Sequence, residues 1–370
     1  MRTDRATDDA RYMRRALALA RRGRGAVEPN PMVGCVIVKR GRIIGEGYHR
    51  RFGGPHAEVE ALRRCRESPR GAAVYVTLEP CCYYGKTPPC TQALAEAGVE
   101  RVVAAVRDPN PRVAGGGVRA LRAAGIEVRL GLLADEARAL NAPFFKLVER
   151  RRPWVILKWA QSLDGRIATR TGDSKWISDD ICRRHAHRVR ARVDAIIVGR
   201  RTAQIDDPML TARGCPRRRV ATRIVVDTGL RLPASTRLVR TAAAVPTWVF
   251  CGREAPSRRA ARLEAAGCRV LRVRTSRGRV SLPALLDRLG RAQMTQVLVE
   301  GGGTLLGSLL DQRLADEVHV YVAPLLVGGA AAVPALGAAG ARTIRGAVDL
   351  AGRLTLRRLG SGWLGEARLP

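Results

Sequence analysis

The first periodic feature is helical. Between positions 8 and 22, Tyr12, Met13, Ala16, Leu17 and Ala20 recur at helical spacing with arginines on the other face, which predicts an amphipathic helix ended by Gly23 and Gly25. The period then shortens. Residues 32–38 and 42–45 are apolar runs separated by Arg40-Gly41, the pattern of a hairpin. Positions 56–65 return to helical spacing, 72–78 and 101–106 read as buried strands, and 120–131 add a helix and a strand. A charged passage, 141–152, ends in Arg150-Arg151-Arg152-Pro153 and marks a boundary between a domain at 1–148 and another at 149–370. Beyond it, strands are expected at 154–159, 195–198, 223–226, 247–251, 269–273 and 296–299, with helical stretches at 179–193 and 258–266. The two halves share no repeat, so the pattern describes two unlike α/β domains.

Bulk composition narrows the class. A chain of 370 residues with 46% hydrophobic content is long enough for two globular domains. No run reaches the length of a membrane span and the first fifteen positions have no apolar signal core, so a cytoplasmic protein is expected, with no membrane partner. Nine cysteines, scattered without a framework, suit reduced thiols and a metal site better than disulfides. Of these, Cys35, Cys65, Cys182, Cys215, Cys251 and Cys268 are expected to be buried packing residues. The net charge of +33 resembles the footprint of a nucleic-acid binder. The arginines, however, spread along the whole chain, and the only lysines are Lys39, Lys86, Lys146, Lys158 and Lys175. Beside abundant alanine and glycine, that imbalance reads as the codon usage of a GC-rich genome, although positive clefts still attract anionic substrates and phosphorylated cofactors.

The candidate chemistry begins at His56-Ala57-Glu58 and continues at Glu79-Pro80-Cys81 and Cys90. A catalytic zinc takes three protein ligands and leaves a fourth position for water. His56, Cys81 and Cys90 supply those three, and Glu58 is placed to shuttle protons. Zinc deaminases carry His-x-Glu followed by Pro-Cys-x-x-Cys; here the last interval is longer, so the second thiolate must arrive across the loop 82–89. Cys82 adjoins Cys81, and an extended chain there turns its side chain elsewhere. In the second half the strand at 296–299 runs into Glu300-Gly301-Gly302-Gly303-Thr304 and a helical run from Leu305. Glycines at such a junction let backbone N–H groups approach a phosphate at a helix N-terminus. The cluster lacks the G-x-G-x-x-G spacing, so a Rossmann domain is not indicated. Two rival readings share these residues. A nucleic-acid or nucleoside deaminase with an accessory domain leaves the second glycine-rich half without a task, and a basic nucleic-acid-binding protein with a structural zinc needs a fourth ligand.

The motifs taken in order resemble the bifunctional riboflavin-biosynthesis deaminase/reductase family, RibD or RibG. In the first half the resemblance rests on Pro29-Asn30-Pro31-Met32-Val33-Gly34, Gly47-Tyr48-His49, His56-Ala57-Glu58 and Gly85-Lys86-Thr87-Pro88-Pro89-Cys90. In the second it rests on Leu157-Lys158, Ser162-Leu163-Asp164-Gly165, Asp194-Ala195-Ile196, Asp206-Asp207-Pro208, Leu210-Thr211-Ala212-Arg213 and Glu300-Gly301-Gly302. It implies a cytidine-deaminase-like α/β/α domain followed by a dihydrofolate-reductase-like α/β domain, one Zn2+ per chain, and NADPH. It implies two reactions, deamination of 2,5-diamino-6-ribosylamino-4(3H)-pyrimidinone 5′-phosphate and then reduction of the ribosyl group, giving 5-amino-6-ribitylaminouracil 5′-phosphate. Its implied partners are that phosphorylated substrate and further copies of the chain, as a homodimer or larger homo-oligomer, with no nucleic acid.

The resemblance also assigns residues. Asn30, His49 and Lys86 fall at substrate positions of the deaminase, with Glu58 catalytic and His56, Cys81 and Cys90 on zinc. Ala160, Trp176, Thr202, Asp206, Thr228 and the loop Gly302, Gly303, Thr304, Leu305, Leu306, Gly307 and Ser308 fall at NADPH positions. Ser174, Arg190, Leu210, Arg213 and Glu300 fall at reductase substrate positions, where Arg190 and Arg213 suit a fork for the 5′-phosphate and Asp206 a proton source. The chain departs from the family pattern at Cys82-Tyr83, where a serine and a histidine are common. Tyr83 keeps an aromatic ring with a polar tip and loses a group that titrates near neutrality. It departs again at Ser178, where threonine is usual, and at Arg200-Arg201, which replaces a smaller, apolar stretch and offers Arg201 to the 2′-phosphate of the cofactor.

Overall fold

A computed structural model describes residues 2–85 and 88–370. The chain forms two compact units, Met1–Arg151 and Arg152–Pro370.

The first unit is a sheet between two helical layers. Its strands are β1 (Gly34–Lys39), β2 (Arg42–Tyr48), β3 (Ala73–Val76), β4 (Arg101–Ala104) and β5 (Glu127–Leu130), in the order β2-β1-β3-β4-β5. The hairpin β1–β2 is antiparallel and turns at Arg40 and Gly41, both with positive φ (49° and 74°), as a tight two-residue turn requires. β1 is also antiparallel to β3, whereas β3, β4 and β5 run parallel. Side chains alternate between the faces: Val36, Tyr75 and Val103 join one apolar cluster with Tyr12, Met13, Ala16, Leu17 and Ala20 of the helix Arg2–Ala20, while Ile37, Val74 and Val102 join the other. Gly34 is needed where β1 crosses that helix, since a Cβ there would lie 2.0 Å from the Ala16 carbonyl oxygen. At 141–152 the structure differs from the sequence reading: the charged passage is largely a helix, Ala142–Arg150, with Phe145 and Leu147 buried. Its Glu149 and Arg150 are exposed, and Asn141 ties its start to Met32 through two 2.8 Å hydrogen bonds.

The second unit is built on one large sheet. Its strands in chain order are β6 (Trp154–Ser162), β7 (Arg166–Ala168), β8 (Ala195–Gly199), β9 (Thr222–Val226), β10 (Thr247–Gly252), β11 (Arg269–Val273), β12 (Thr275–Ser276), β13 (Arg279–Val280), β14 (Gln296–Glu300), β15 (Glu317–Ala323), β16 (Val333–Pro334), β17 (Leu354–Leu359) and β18 (Gly362–Arg368). Nine of them form the order β11-β10-β9-β8-β14-β6-β15-β18-β17. Pairings from β11 to β15 are parallel, and β18 and β17 close the edge antiparallel. The chain steps outward from β8 to β11 and returns to place β14 between β8 and β6. That reversal opens a crevice beyond the strand carboxyl ends, the place where α/β sheets bind ligands.

Arg223 is fully buried in this unit, and its guanidinium is satisfied by neutral oxygens. It donates to the hydroxyls of Thr241 and Thr247 and to the carbonyls of Leu238, Thr241 and Val245 at 2.6–3.2 Å. Arg223→Met should leave those buried acceptors without donors and cost about 2–4 kcal/mol, read as a lower denaturation midpoint with an unchanged slope.

Candidate active sites

In the first unit three elements deliver the predicted metal ligands. His56 caps the helix Ala57–Leu62, Cys81 follows β3, and Cys90 opens the helix Cys90–Glu96. His56 Nδ1 lies 3.2 Å from Cys90 Sγ and 3.5 Å from Cys81 Sγ, and the three ligand atoms all fall within 4.8 Å of one another. Tetrahedral zinc at ordinary bond lengths separates such atoms by roughly 3.5 Å, so the set fits that ion. The two thiols titrate as a pair. The hydrogen bond with Cys90 holds the Cys81 thiol down to about 4, and the same bond pushes Cys90 up. Glu58, on the first turn of the helix, is only 3% exposed, and burial pushes its carboxyl up.

Asn30 and His49 join this site as a pair. His49 Nδ1 lies 2.9 Å from the Pro55 carbonyl, which can only accept, so Nε2 is the atom that receives the Asn30 amide at 3.2 Å. Burial pushes His49 down, keeping the ring neutral, and it packs edge-on at 5.4 Å from the His56 ring. Lys86 lies outside the described residues. Cys82 turns away, its sulfur 3.8 Å from the Arg112 carbonyl, and the metal-ligand cluster found among the described residues contains only His56, Cys81 and Cys90. Tyr83 is half-buried and its phenol is pushed up by that burial.

The sequence reading gave no role to two carboxylates here. Glu79 accepts backbone N–H bonds from Asp108, Gly115 and Val118 at 3.0–3.3 Å, capping the helix Gly116–Ala123 and fixing the loop around Asp108. Asp108 is buried, and that burial pushes it up to about 7. A signal was available: Pro109-Asn110-Pro111 repeats the Pro29-Asn30-Pro31 that carries a site residue.

In the second unit the site gathers at the crevice. Gly301 and Gly302 have φ of 70° and 75°, and a Cβ on either would come within 3.0–3.1 Å of Thr202. The end of β14 and the start of the helix after β8 therefore meet backbone to side chain, under the opening turn of the helix Gly303–Asp311. That cradle fits the diphosphate of a dinucleotide. Not all of the predicted loop lines it. Leu306 is fully buried in the apolar core, Leu305 packs against that core, and a Cβ on Gly307 would sit 1.7 Å from the Gly337 carbonyl. Leu305, Leu306 and Gly307 thus have packing roles for their side-chain positions, while Gly302, Gly303 and Thr304 form the opening turn.

The remaining predicted residues fall on several elements of this unit. Ala160 lies on β6, and Thr228 follows β9 with its hydroxyl accepting the Val280 N–H at 3.1 Å. Trp176 is 71% exposed beneath the Arg183 guanidinium, which lies 4.5 Å from its ring, and this excludes a core role. Ser174 is half-buried, Leu210 is buried, and Asp206 ends the helix Arg200–Ile205 as an exposed residue. Arg201, too, is exposed.

The expected arginine fork is drawn differently. Arg190 turns its guanidinium onto Glu300, donating from Nε at 2.7 Å and from Nη2 at 2.5 Å, while Arg213 is exposed and its backbone N–H meets His187 Nδ1 at 3.3 Å. Burial opposes the Glu300 charge, but Arg190 beside it prevails and holds the carboxyl down to about 2. Lys158, noted in the sequence only as part of a motif, belongs to this cluster. Burial pushes its ammonium down, Glu300 opposes that shift, and its Nζ lies 5.2 Å from the centre of the Tyr321 ring.

Comparisons with known proteins agree with this division. Residues 6–106 match the family described as the cytidine and deoxycytidylate deaminase zinc-binding region, and residues 153–362 match the RibD C-terminal domain. The riboflavin biosynthesis protein RibD of Actinobacillus pleuropneumoniae is 44% identical over 342 residues, covering 92% of this chain and 90% of that protein. The RibD of Escherichia coli K12 is 45% identical over 332 residues, covering 86% and 89%. Among solved structures, Acinetobacter baumannii RibD superposes with a TM-score of 0.86 at 36% identity over 99% of this chain and 100% of that one. A Thermotoga maritima diaminohydroxyphosphoribosylaminopyrimidine deaminase/5-amino-6-(5-phosphoribosylamino)uracil reductase does so at 0.81 and 35%, with the same coverage.

Proposed function

The chain belongs to the RibD family of bifunctional riboflavin-biosynthesis deaminase/reductases, and we propose that one substrate, 2,5-diamino-6-ribosylamino-4(3H)-pyrimidinone 5′-phosphate, serves both units in turn. The supporting observation is the coexistence, in one chain, of the His56/Cys81/Cys90 trio beside buried Glu58 and a glycine cradle beside the Glu300 cluster.

His56, Cys81 and Cys90 would hold zinc, which would supply the Lewis acidity that lets a water molecule lose its proton near neutral pH. Glu58 carries the water's first proton to the ring nitrogen and its second, from the hydroxyl left on the ring carbon, to the leaving amine, so the ring carbon exchanges its amino group for oxygen and ammonia departs. His49 holds the Asn30 amide through its nitrogen and leaves the amide oxygen free to meet the ring edge.

The cradle of Gly301, Gly302 and Thr202 would hold NADPH, which would supply the hydride for C1′ of the ring-opened sugar. Arg190 fixes Glu300 at the end of β14, and Lys158 presents a proton-bearing cation beside it, suited to the heteroatom that gains charge as C1′ is reduced. Thr202, Thr228 and Trp176 line the cofactor's path, and Ser174, Leu210 and Arg213 that of the sugar phosphate. The enzyme assembles with further copies of itself, because β17 is an edge strand whose Leu354 and Leu356 stand 51% and 61% exposed near Ile344 in sequence, itself 94% exposed. It works in the cytoplasm; among the described residues no helix is long and apolar enough to cross a membrane.

The test is a coupled assay on metal-analysed protein given the diaminopyrimidinone ribosyl phosphate with and without NADPH. Ammonia release without NADPH, followed by NADPH oxidation that depends on it, is expected. Oxidation only with pre-deaminated substrate would remove the deaminase half. A second expectation concerns the cradle: Gly302→Asp adds a carboxylate at a φ of 75°, strained by about 1 kcal/mol and repulsive to phosphate. The KM for NADPH should rise at least about tenfold, and an unchanged value removes the phosphate role.

A further inference from the structure

Behind the Lys158 ammonium lies a polar chain that the two reactions do not use. Tyr321 is 1% exposed on β15, which runs beside β6, with Tyr321 opposite Ala160 and His319 opposite Lys158. Its hydroxyl lies 2.8 Å from His185 Nδ1, in the middle of the helix Asp180–Arg190. The other ring nitrogen of His185 lies 3.1 Å from Arg357 Nη2 on β17, and Arg357 Nε is 3.5 Å from Glu366 on β18. A guanidinium only donates, so His185 Nε2 accepts, and Nδ1 carries the hydrogen and donates to the Tyr321 oxygen. Burial pushes His185 down to about 4, consistent with a neutral ring held in that one tautomer.

We propose that Tyr321 and His185 are positioning residues of the reductase: the Tyr321 ring is the platform that holds the Lys158 ammonium toward Glu300, and His185, fixed by Arg357, pins that ring. A cation within 6 Å of an aromatic centre is held by the ring face, and the 5.2 Å separation meets that condition. Four elements converge to fix one ammonium: β6 carries it, β15 supplies the ring, the helix supplies the pin, and β17 supplies the arginine that orients the pin. A lysine side chain free to turn would otherwise sample many rotamers. The proposal rests on the reading of the second unit as the reductase.

The experiment measures NADPH oxidation by the full-length holoenzyme on pre-deaminated substrate, with melting temperatures for each variant. Tyr321→Leu removes the platform and should lower kcat about tenfold or more while KM for NADPH stays within about twofold. Tyr321→Phe keeps the platform and should restore kcat to within about threefold of the original. His185→Asn should cost about threefold with Tyr321 present and nothing further when combined with Tyr321→Phe, the coupling that a shared hydrogen bond predicts. A folded Tyr321→Leu protein with unchanged kcat overturns the proposal. So do equal losses in the Leu and Phe variants, and, should Tyr321→Leu not fold, additive effects of His185→Asn and Tyr321→Phe. Failure of the unaltered protein to oxidise NADPH at all would instead remove the reductase reading on which the proposal stands.

Discussion

Replacing Glu58 with glutamine is expected to lower the rate of ammonia release by about 10²- to 10⁴-fold while leaving zinc content and NADPH oxidation on pre-deaminated substrate unchanged. The substitution preserves shape in a position only 3% exposed, so no cavity opens and the helix Ala57–Leu62 keeps its first turn. It removes the one capacity that the proposed step needs, which is to take a proton and return it. Zinc stays because His56, Cys81 and Cys90 are untouched and their ligand atoms already lie within 4.8 Å of one another. The three readouts separate the alternatives. Lost zinc would make Glu58 a structural prop of the metal site, and retained deamination would sink its assignment as the proton carrier.

Much of this site was legible because its chemistry is written in short local strings. His56 and Glu58 share one helical start, Cys81 and Cys90 follow prolines, and the α/β periods placed His56 at a helix start and Cys81 just past a strand end, while the helix that Cys90 opens was not anticipated. Contacts between distant strings were not legible. Glu79 looked like a companion of Cys81 and proved to cap a helix more than thirty residues on. The pairing of Arg190 was hidden for the same reason: nothing local to Arg190 announces that Glu300, 110 positions away, takes its guanidinium. Leu306 and Gly307 were assigned with their loop because a motif does not distinguish the helix face toward the crevice from the face under the Gly337 backbone. In the fold, the strands buried on both faces were found, while β15, β17 and β18 were not anticipated. β17 is exposed nearly throughout, so no contrast between its faces marks it, and in the 141–152 passage the charged run at its end drew attention from the apolar Phe144, Phe145, Leu147 and Val148 that make it a helix. Of the six cysteines expected to be buried, Cys65 and Cys215 are half-buried, with Cys65 still packed against the core of the first unit.

Arg190→Met should lower the melting temperature of the second unit by roughly 10 °C, through a cost of about 3–5 kcal/mol, and nearly abolish reduction. Methionine fills much of the arginine's volume but leaves the Glu300 carboxylate, 6% exposed, without the guanidinium that holds it down to about 2. The pH dependence follows from the sign of that shift. With Arg190 present, the pair's contribution is complete above the ordinary glutamate value of about 4.3 and is lost as pH falls toward about 2. In the variant the stranded carboxylate gains by taking up a proton, so its deficit relative to the original protein should shrink as pH is lowered from 7 toward 4. Adding Glu300→Gln to the variant should recover much of the melting temperature without recovering reduction, because the buried charge is gone and the group facing the sugar is gone with it. A phosphate-binding Arg190 predicts the opposite pattern, an increased KM for the sugar phosphate with little thermal effect and no pH dependence of the difference. Melting curves at two pH values thus decide whether this arginine serves the substrate directly or holds the carboxylate that does.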